Sequence, residues 1–109
     1  MKNSLPVDGH HDDRRTLIEW VKDYPLRSCK VVVIHEDTEI GNHFHKKKDE
    51  IFYLLSGEGE VALNGETEPF IAGDMVFVPK GMRHTFKLKK GSVMLGAGTK
   101  PYDQKDENH

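Results

Sequence analysis

The chain has 109 residues, 36% of them hydrophobic and 31% charged, and sixteen Lys and Arg against eighteen Asp and Glu give a formal net charge of -2. That length supports one domain with a modest core, burying roughly 60–70% of its unfolded surface, and the composition is that of a folded soluble chain. The near-neutral charge excludes a general nucleic-acid surface. No apolar stretch is long enough to span a bilayer as a helix, and the longest run, residues 31–34, falls far short.

Cys29 is the only cysteine, so no intramolecular disulfide forms, which fits a reducing compartment. It reads as a small apolar residue at the start of a strand. The first residues carry no apolar run after their charge and do not form a secretory signal. The expectation is a cytoplasmic, soluble protein without a membrane or nucleic-acid partner.

Residues 1–13 are polar and read as a tail, with His10 and His11 solvated in it. Residues 16–21 suit either a short helix capped by Asp13 or a strand. From Lys30 the pattern is β. Residues 30–35 form a valine-rich run, expected to be buried on both faces or at a subunit contact, and end at His35, a surface residue. Residues 51–55 follow, then a turn at Ser56-Gly57-Glu58-Gly59. Residues 60–63 alternate and end at Asn64-Gly65, a strong hairpin signal that returns the chain through residues 67–71. Strands at 75–78, 84–88 and 92–97 are separated by Gly73-Asp74, Pro79-Lys80-Gly81 and Lys89-Lys90-Gly91. Residues 99–109 form a polar tail, leaving 14–98 as the domain. Seven or more short strands joined by tight turns make an all-β sandwich or barrel.

Seven histidines is a high number for this length. His43 and His45 flank Phe44, and on a strand residues two apart point to one face. Glu50 starts the next strand and can stand beside the pair. The Asn64-Gly65 hairpin can bring His84 back to them. Three imidazoles and a carboxylate form a borderline ligand set that suits one divalent transition metal (Fe, Mn, Ni, Co or Zn) better than calcium or magnesium. Phe52 shares the parity of Glu50, and Phe86 that of His84, so both are candidates for the wall of a substrate pocket. Lys46-Lys47-Lys48 reads as a solvated loop or as a patch steering an anionic substrate. Tyr53 has outward parity, and Arg83 points away from the ligands as a partner in an ion pair.

These residues resemble the two motifs of the cupin superfamily. Gly41, His43, His45, Glu50 and Gly57 correspond to the first motif, with Gly41 closer to the histidines than usual. Gly73, Pro79, Gly81 and His84 correspond to the second, with Leu88 where the motif usually closes in Asn. The resemblance covers residues 30–97. It implies a jelly roll (a double-stranded β-helix barrel), one metal held by His43, His45, Glu50 and His84, and a homodimer. Asp12-Asp13-Arg14-Arg15-Thr16-Leu17 and His43-Phe44-His45-Lys46-Lys47 also resemble cupins that isomerise or epimerise nucleotide-linked sugars, which implies that residues 16–21 are a strand. Those enzymes generally act without a metal and use histidine as a base, whereas Glu50 and His84 are both retained here. The expected function is a metal-dependent enzyme of isomerase or epimerase type on a sugar-like or keto-acid substrate. The alternatives are an Fe(II) dioxygenase and a non-enzymatic small-ligand binding module.

Overall fold

The computed structural model describes residues 8–44 and 46–100. Within them the chain forms ten strands: β1 (Asp8–His11), β2 (Thr16–Glu19), β3 (Ser28–Val33), β4 (Thr38–His43), β5 (Glu50–Ser56), β6 (Glu58–Leu63), β7 (Glu66–Ile71), β8 (Met75–Val78), β9 (His84–Leu88) and β10 (Val93–Gly98). β1 and β2 make a hairpin. The other eight form two antiparallel sheets, ordered β3-β10-β5-β8 and β4-β9-β6-β7. This is an all-β jelly roll: the turn spacing implied a sandwich or barrel, and the cupin resemblance implied the jelly roll. Among the described residues no helix is long and apolar enough to cross a membrane.

The core follows from strand alternation. Phe52 and Leu54 of β5, Val61 and Leu63 of β6, Phe86 and Leu88 of β9, and Met94 of β10 meet between the sheets with Phe70, Val76 and Val78. The opposite parity of β5 and β8 builds a second apolar layer on the outer face. There Ile51, Tyr53 and Met75 are covered by Trp20, Val21, Tyr24 and Leu26 from the segment before β3. Trp20 stacks obliquely on Tyr53, with ring centroids 5.9 Å apart. Tyr53 is therefore buried under this cover, away from the barrel interior.

Three expectations change. Residues 8–11, expected within a tail, pair with β2, His10 opposite Leu17 and His11 opposite Thr16. Both histidines are exposed, and they bind Asp12 and Thr16 respectively. β3 is not buried on both faces. It lies at the end of its sheet, so Val31 and Val33 are 64% and 52% exposed, and Cys29 is exposed beside them. The turn expected at residues 56–59 is tighter, because β6 already begins at Glu58. Only Gly57 joins the strands, at φ +93°, where a Cβ would stand 2.2 Å from Oγ of Ser92. The expected C-terminal tail beyond residue 100 and the first seven residues lie outside the described residues.

A candidate metal centre at one end of the barrel

Four strand ends meet at one mouth of the barrel. β4 ends at His43, β5 begins at Glu50, β8 ends at Val78 opposite Glu50, and β9 begins at His84 opposite His43. Two local devices set this register. A β-bulge interrupts the β4–β9 pairing between Gly41 and His43, so His43, not Asn42, faces His84 across the strands. Gly41 makes the bulge possible: its φ is +105°, and a Cβ there would lie 2.8 Å from the carbonyl oxygen of His84. At the neighbouring hairpin, Asn64 and Gly65 both take positive φ (48° and 87°), as a type I′ turn needs. Asn64 then grips the chain just before His84: its N–H donates to the Arg83 carbonyl at 2.8 Å, and its Oδ1 accepts from the Arg83 N–H at 3.0 Å.

The imidazole of His84 is oriented by its own turn. Nδ1 lies 3.3 Å from the Met82 carbonyl oxygen. A carbonyl only accepts, so Nδ1 is the donor and carries the hydrogen. Nε2 is left facing Oε1 of Glu50 at 3.8 Å. His43 stands nearly perpendicular to His84, with ring centroids 4.5 Å apart. Glu50 and His84 are both buried.

Glu50 is fixed through its neighbour. The Tyr24 phenol donates to Oδ2 of Asp49 at 2.5 Å, and the Lys80 N–H donates to Oδ1 at 2.8 Å. The Asp49 N–H donates to Oγ1 of Thr99, and its carbonyl accepts from the Thr99 N–H. Burial, and then the hydrogen bond to Asp49, push the Tyr24 phenol up to about 12.

These residues line a cavity of about 110 Å³. Its polar wall is Lys30, His43, Lys48, Glu50 and His84, and its apolar wall is Val32, Ile40, Phe52, Phe86 and Met94. Phe52 and Phe86, singled out by parity, both line this cavity and pack edge to face with centroids 4.8 Å apart. Arg83 lies outside, its guanidinium 5.3 Å from the Phe44 ring centroid, a cation–π distance. Two lysines were missed as cavity residues. Lys48, read with Lys46 and Lys47 as loop or steering patch, is 4% exposed, and its Nζ lies 3.7 Å from Oε2 of Glu50. Lys30 shares the inward parity of Val32, and its Nζ lies 3.6 Å from the same oxygen. That parity with Val32 was the available signal.

Of the four expected metal ligands, the structure brings His43, Glu50 and His84 to one cavity. His45 lies outside the described residues. Among the described residues no group of three His, Cys, Asp or Glu side chains is gathered closely enough to hold a metal ion. The Glu50–His84 pair does fit one. Two donors bonded at about 2.0–2.2 Å to a shared ion lie at most about 4.4 Å apart, and Oε1 and Nε2 are 3.8 Å apart. The lysines engage Oε2, which leaves Oε1 turned toward the imidazole.

The cupin domain family model matches residues 30–95. The chain belongs to the cupin family. This cupin is 38% identical over 65 residues to an uncharacterised protein of Aquifex aeolicus, covering 59% of this chain and 54% of the relative. It is 38% identical over 50 residues to an oxalate-binding protein of Thermotoga maritima, covering 46% of this chain and 41% of that one. The chain thus spans about half or less of the length of these relatives. Among solved structures, a TDP-quinovose 3,4-ketoisomerase from Campylobacter jejuni superposes with a TM-score of 0.84 at 18% identity, over 94% of this chain and 87% of that one. At that identity the likeness is one of fold.

Proposed function

We propose that this cupin holds one divalent transition metal through His43, His45, Glu50 and His84, and catalyses isomerase- or epimerase-type proton transfer on a small polar substrate. The observation that carries the reading is the Glu50–His84 pair, two buried donor atoms 3.8 Å apart in a cavity that His43 also lines. When bound, the ion would polarise a substrate carbonyl and stabilise the enediolate formed by proton loss beside it. The chain's own residues orient the ligand and shape the pocket. Met82 holds His84 in the tautomer a ligand needs. Phe52, Phe86 and Met94 form a dry wall against the carbon skeleton. The fold shared with the ketoisomerase supports the reaction type.

The test is incubation of the metal-loaded protein with keto acids and nucleotide-linked 4-keto sugars in heavy water. Deuterium uptake into substrate is expected. No uptake across the panel with any of the five metals would overturn the enzymatic reading. A second reading, ligand binding without turnover, draws on the small cavity and on the identity to the oxalate-binding protein. Tight binding with no exchange would select it.

We also infer a homodimer. Val31 and Val33 on the outer face of edge strand β3, with Leu55 of β5 on the same face, are each more than half exposed. Apolar exposure on a sheet edge is the kind of surface a second copy covers.

A further inference from the structure

We propose that Asp49 is a positioning residue for the candidate metal centre: its side chain, which does not line the cavity, sets the spacing between Glu50 and His84. The proposal rests on the metal reading of this cavity and adds to it the device that holds two of the ligands in register. Its basis is the number of segments that Asp49 ties together. All four of its hydrogen-bonding positions are taken, and they reach three separate stretches of chain. Oδ2 accepts from the Tyr24 phenol at 2.5 Å, in the segment that covers the outer apolar layer. Oδ1 accepts from the Lys80 N–H at 2.8 Å, in the turn between β8 and β9. The N–H donates to Oγ1 of Thr99 at 3.0 Å, and the carbonyl accepts from the Thr99 N–H at 3.1 Å, just beyond β10.

This places Asp49 behind both ligands at once. The next residue is Glu50, whose backbone pairs with Val78 on one side and Gly98 on the other. Asp49 therefore fixes where β5 begins. The turn at Lys80 leads to His84. It closes through the Met82 N–H, which donates to the Pro79 carbonyl at 3.1 Å. The Met82 carbonyl oxygen then orients the imidazole, 3.3 Å from Nδ1 of His84. Oδ1 of Asp49 thus joins the strand that carries Glu50 to the turn that aims His84. The spacing is demanding. Two donors sharing one ion lie at most about 4.4 Å apart, and Oε1 and Nε2 stand at 3.8 Å, so the tolerance is a fraction of an ångström.

Tyr24 extends the tie to the outer face of the sheet. Its ring packs edge-on against Phe77, with centroids 5.8 Å apart, and Phe77 pairs with Ile51, the residue after Glu50. The chemistry of the position calls for Asp. Two donors arrive, one at each oxygen, and a carboxylate accepts both, whereas an amide has a single acceptor oxygen. Bonds to an ionised oxygen are also roughly twice as strong as neutral ones.

The experiment is competition for zinc between the purified full chain and a chromogenic chelator. Asp49→Ala should lower zinc affinity at least about tenfold, since loss of a residue supporting a ligand costs 10–100-fold. Asp49→Asn keeps an acceptor for one of the two donors and should recover part of that loss. Gly73→Ala strains the backbone away from the site and should leave zinc affinity unchanged, which separates positioning from lost stability. A double-variant cycle tests the route. If Asp49 acts through Glu50, joining Asp49→Ala to Glu50→Gln should cost less than the product of the two single losses. Should Asp49→Ala fail to fold by circular dichroism, Asp49→Asn and Tyr24→Phe replace it in the cycle. Unchanged zinc affinity in the folded Asp49 variants, or a combined loss equal to that product within about twofold, would overturn the positioning role alone. A wild type that binds no zinc would overturn the metal reading and this role with it, so the wild type tells the two failures apart.

Discussion

Nε2 of His84 faces Oε1 of Glu50 at 3.8 Å while the opposite nitrogen of the same ring donates to the Met82 carbonyl. At that separation the two atoms make no direct hydrogen bond, and a cation between them would be within bonding reach of both. Glu50→Gln and His84→Ala should each lower affinity for manganese or zinc by at least about tenfold, since changes even to supporting residues cost 10–100-fold. Competition with a chromogenic chelator measures this. Wild-type metal content in both variants would place the metal elsewhere or nowhere.

Tyr24 and Asp49 give a pH signature. The phenol sits near 12 in the fold against an ordinary value of 10.0. The folded state therefore favours the protonated form, and the stabilisation is fully present below pH 10. It is lost as the pH rises through 10 toward 12, where the unfolded chain ionises more readily. Urea midpoints measured from pH 8 to 12 should fall over that window. Tyr24→Phe should cost about 1.5–3 kcal/mol at pH 8, as a hydrogen bond to a carboxylate is lost, and should flatten the fall. A variant whose profile parallels the wild type would assign the alkaline loss to other groups.

Gly41 couples backbone conformation to the site. A side chain there meets the His84 carbonyl oxygen at 2.8 Å and must also adopt φ +105°. Gly41→Ala should destabilise the fold by about 1–3 kcal/mol, the usual cost of a strained backbone position. It should also push β4 away from β9 and weaken metal binding by disturbing the His43–His84 pairing. Gly73→Ala is the control: Gly73 also has positive φ, but nothing lies within 4 Å of its Cβ position. It should cost stability without touching the site. Equal effects of the two on metal affinity would remove the role given to the Gly41 bulge.

Much of this arrangement was legible because strand chemistry is periodic. The alternation that put Phe52 with Glu50 and Phe86 with His84 is a property of the extended chain, and it held wherever the strands were regular. Asn64-Gly65 announced its own turn. The illegible parts depend on partners distant in sequence. Lys48 looks like a loop cation until the path of the chain buries it against Glu50. Lys30 looks like a surface lysine until Gly96, far along the chain, opens a path inward. The strand at Asp8–His11 carries no apolar alternation and exists through its pairing with β2. β3 read as doubly buried because a valine run does not reveal which side of its sheet has no neighbour.

That last point leads to the oligomer. The outer face of the β3-β10-β5-β8 sheet is covered over Ile51, Tyr53 and Met75 by residues 20–26 of the same chain. The cover does not extend over Val31 and Val33, which stay 64% and 52% exposed. Natural sheets protect such edges with charge, and here the outward positions are valines. If a second copy covers them, light scattering after gel filtration should give a dimer mass for the wild type. Val31→Glu with Val33→Glu should give a monomer with its fold intact, because neither side chain enters the core. The doubly substituted chain should also be more soluble, since an apolar patch has been replaced by charge. A monomeric wild type, or a dimer indifferent to both glutamates, would mean that this face is not the contact.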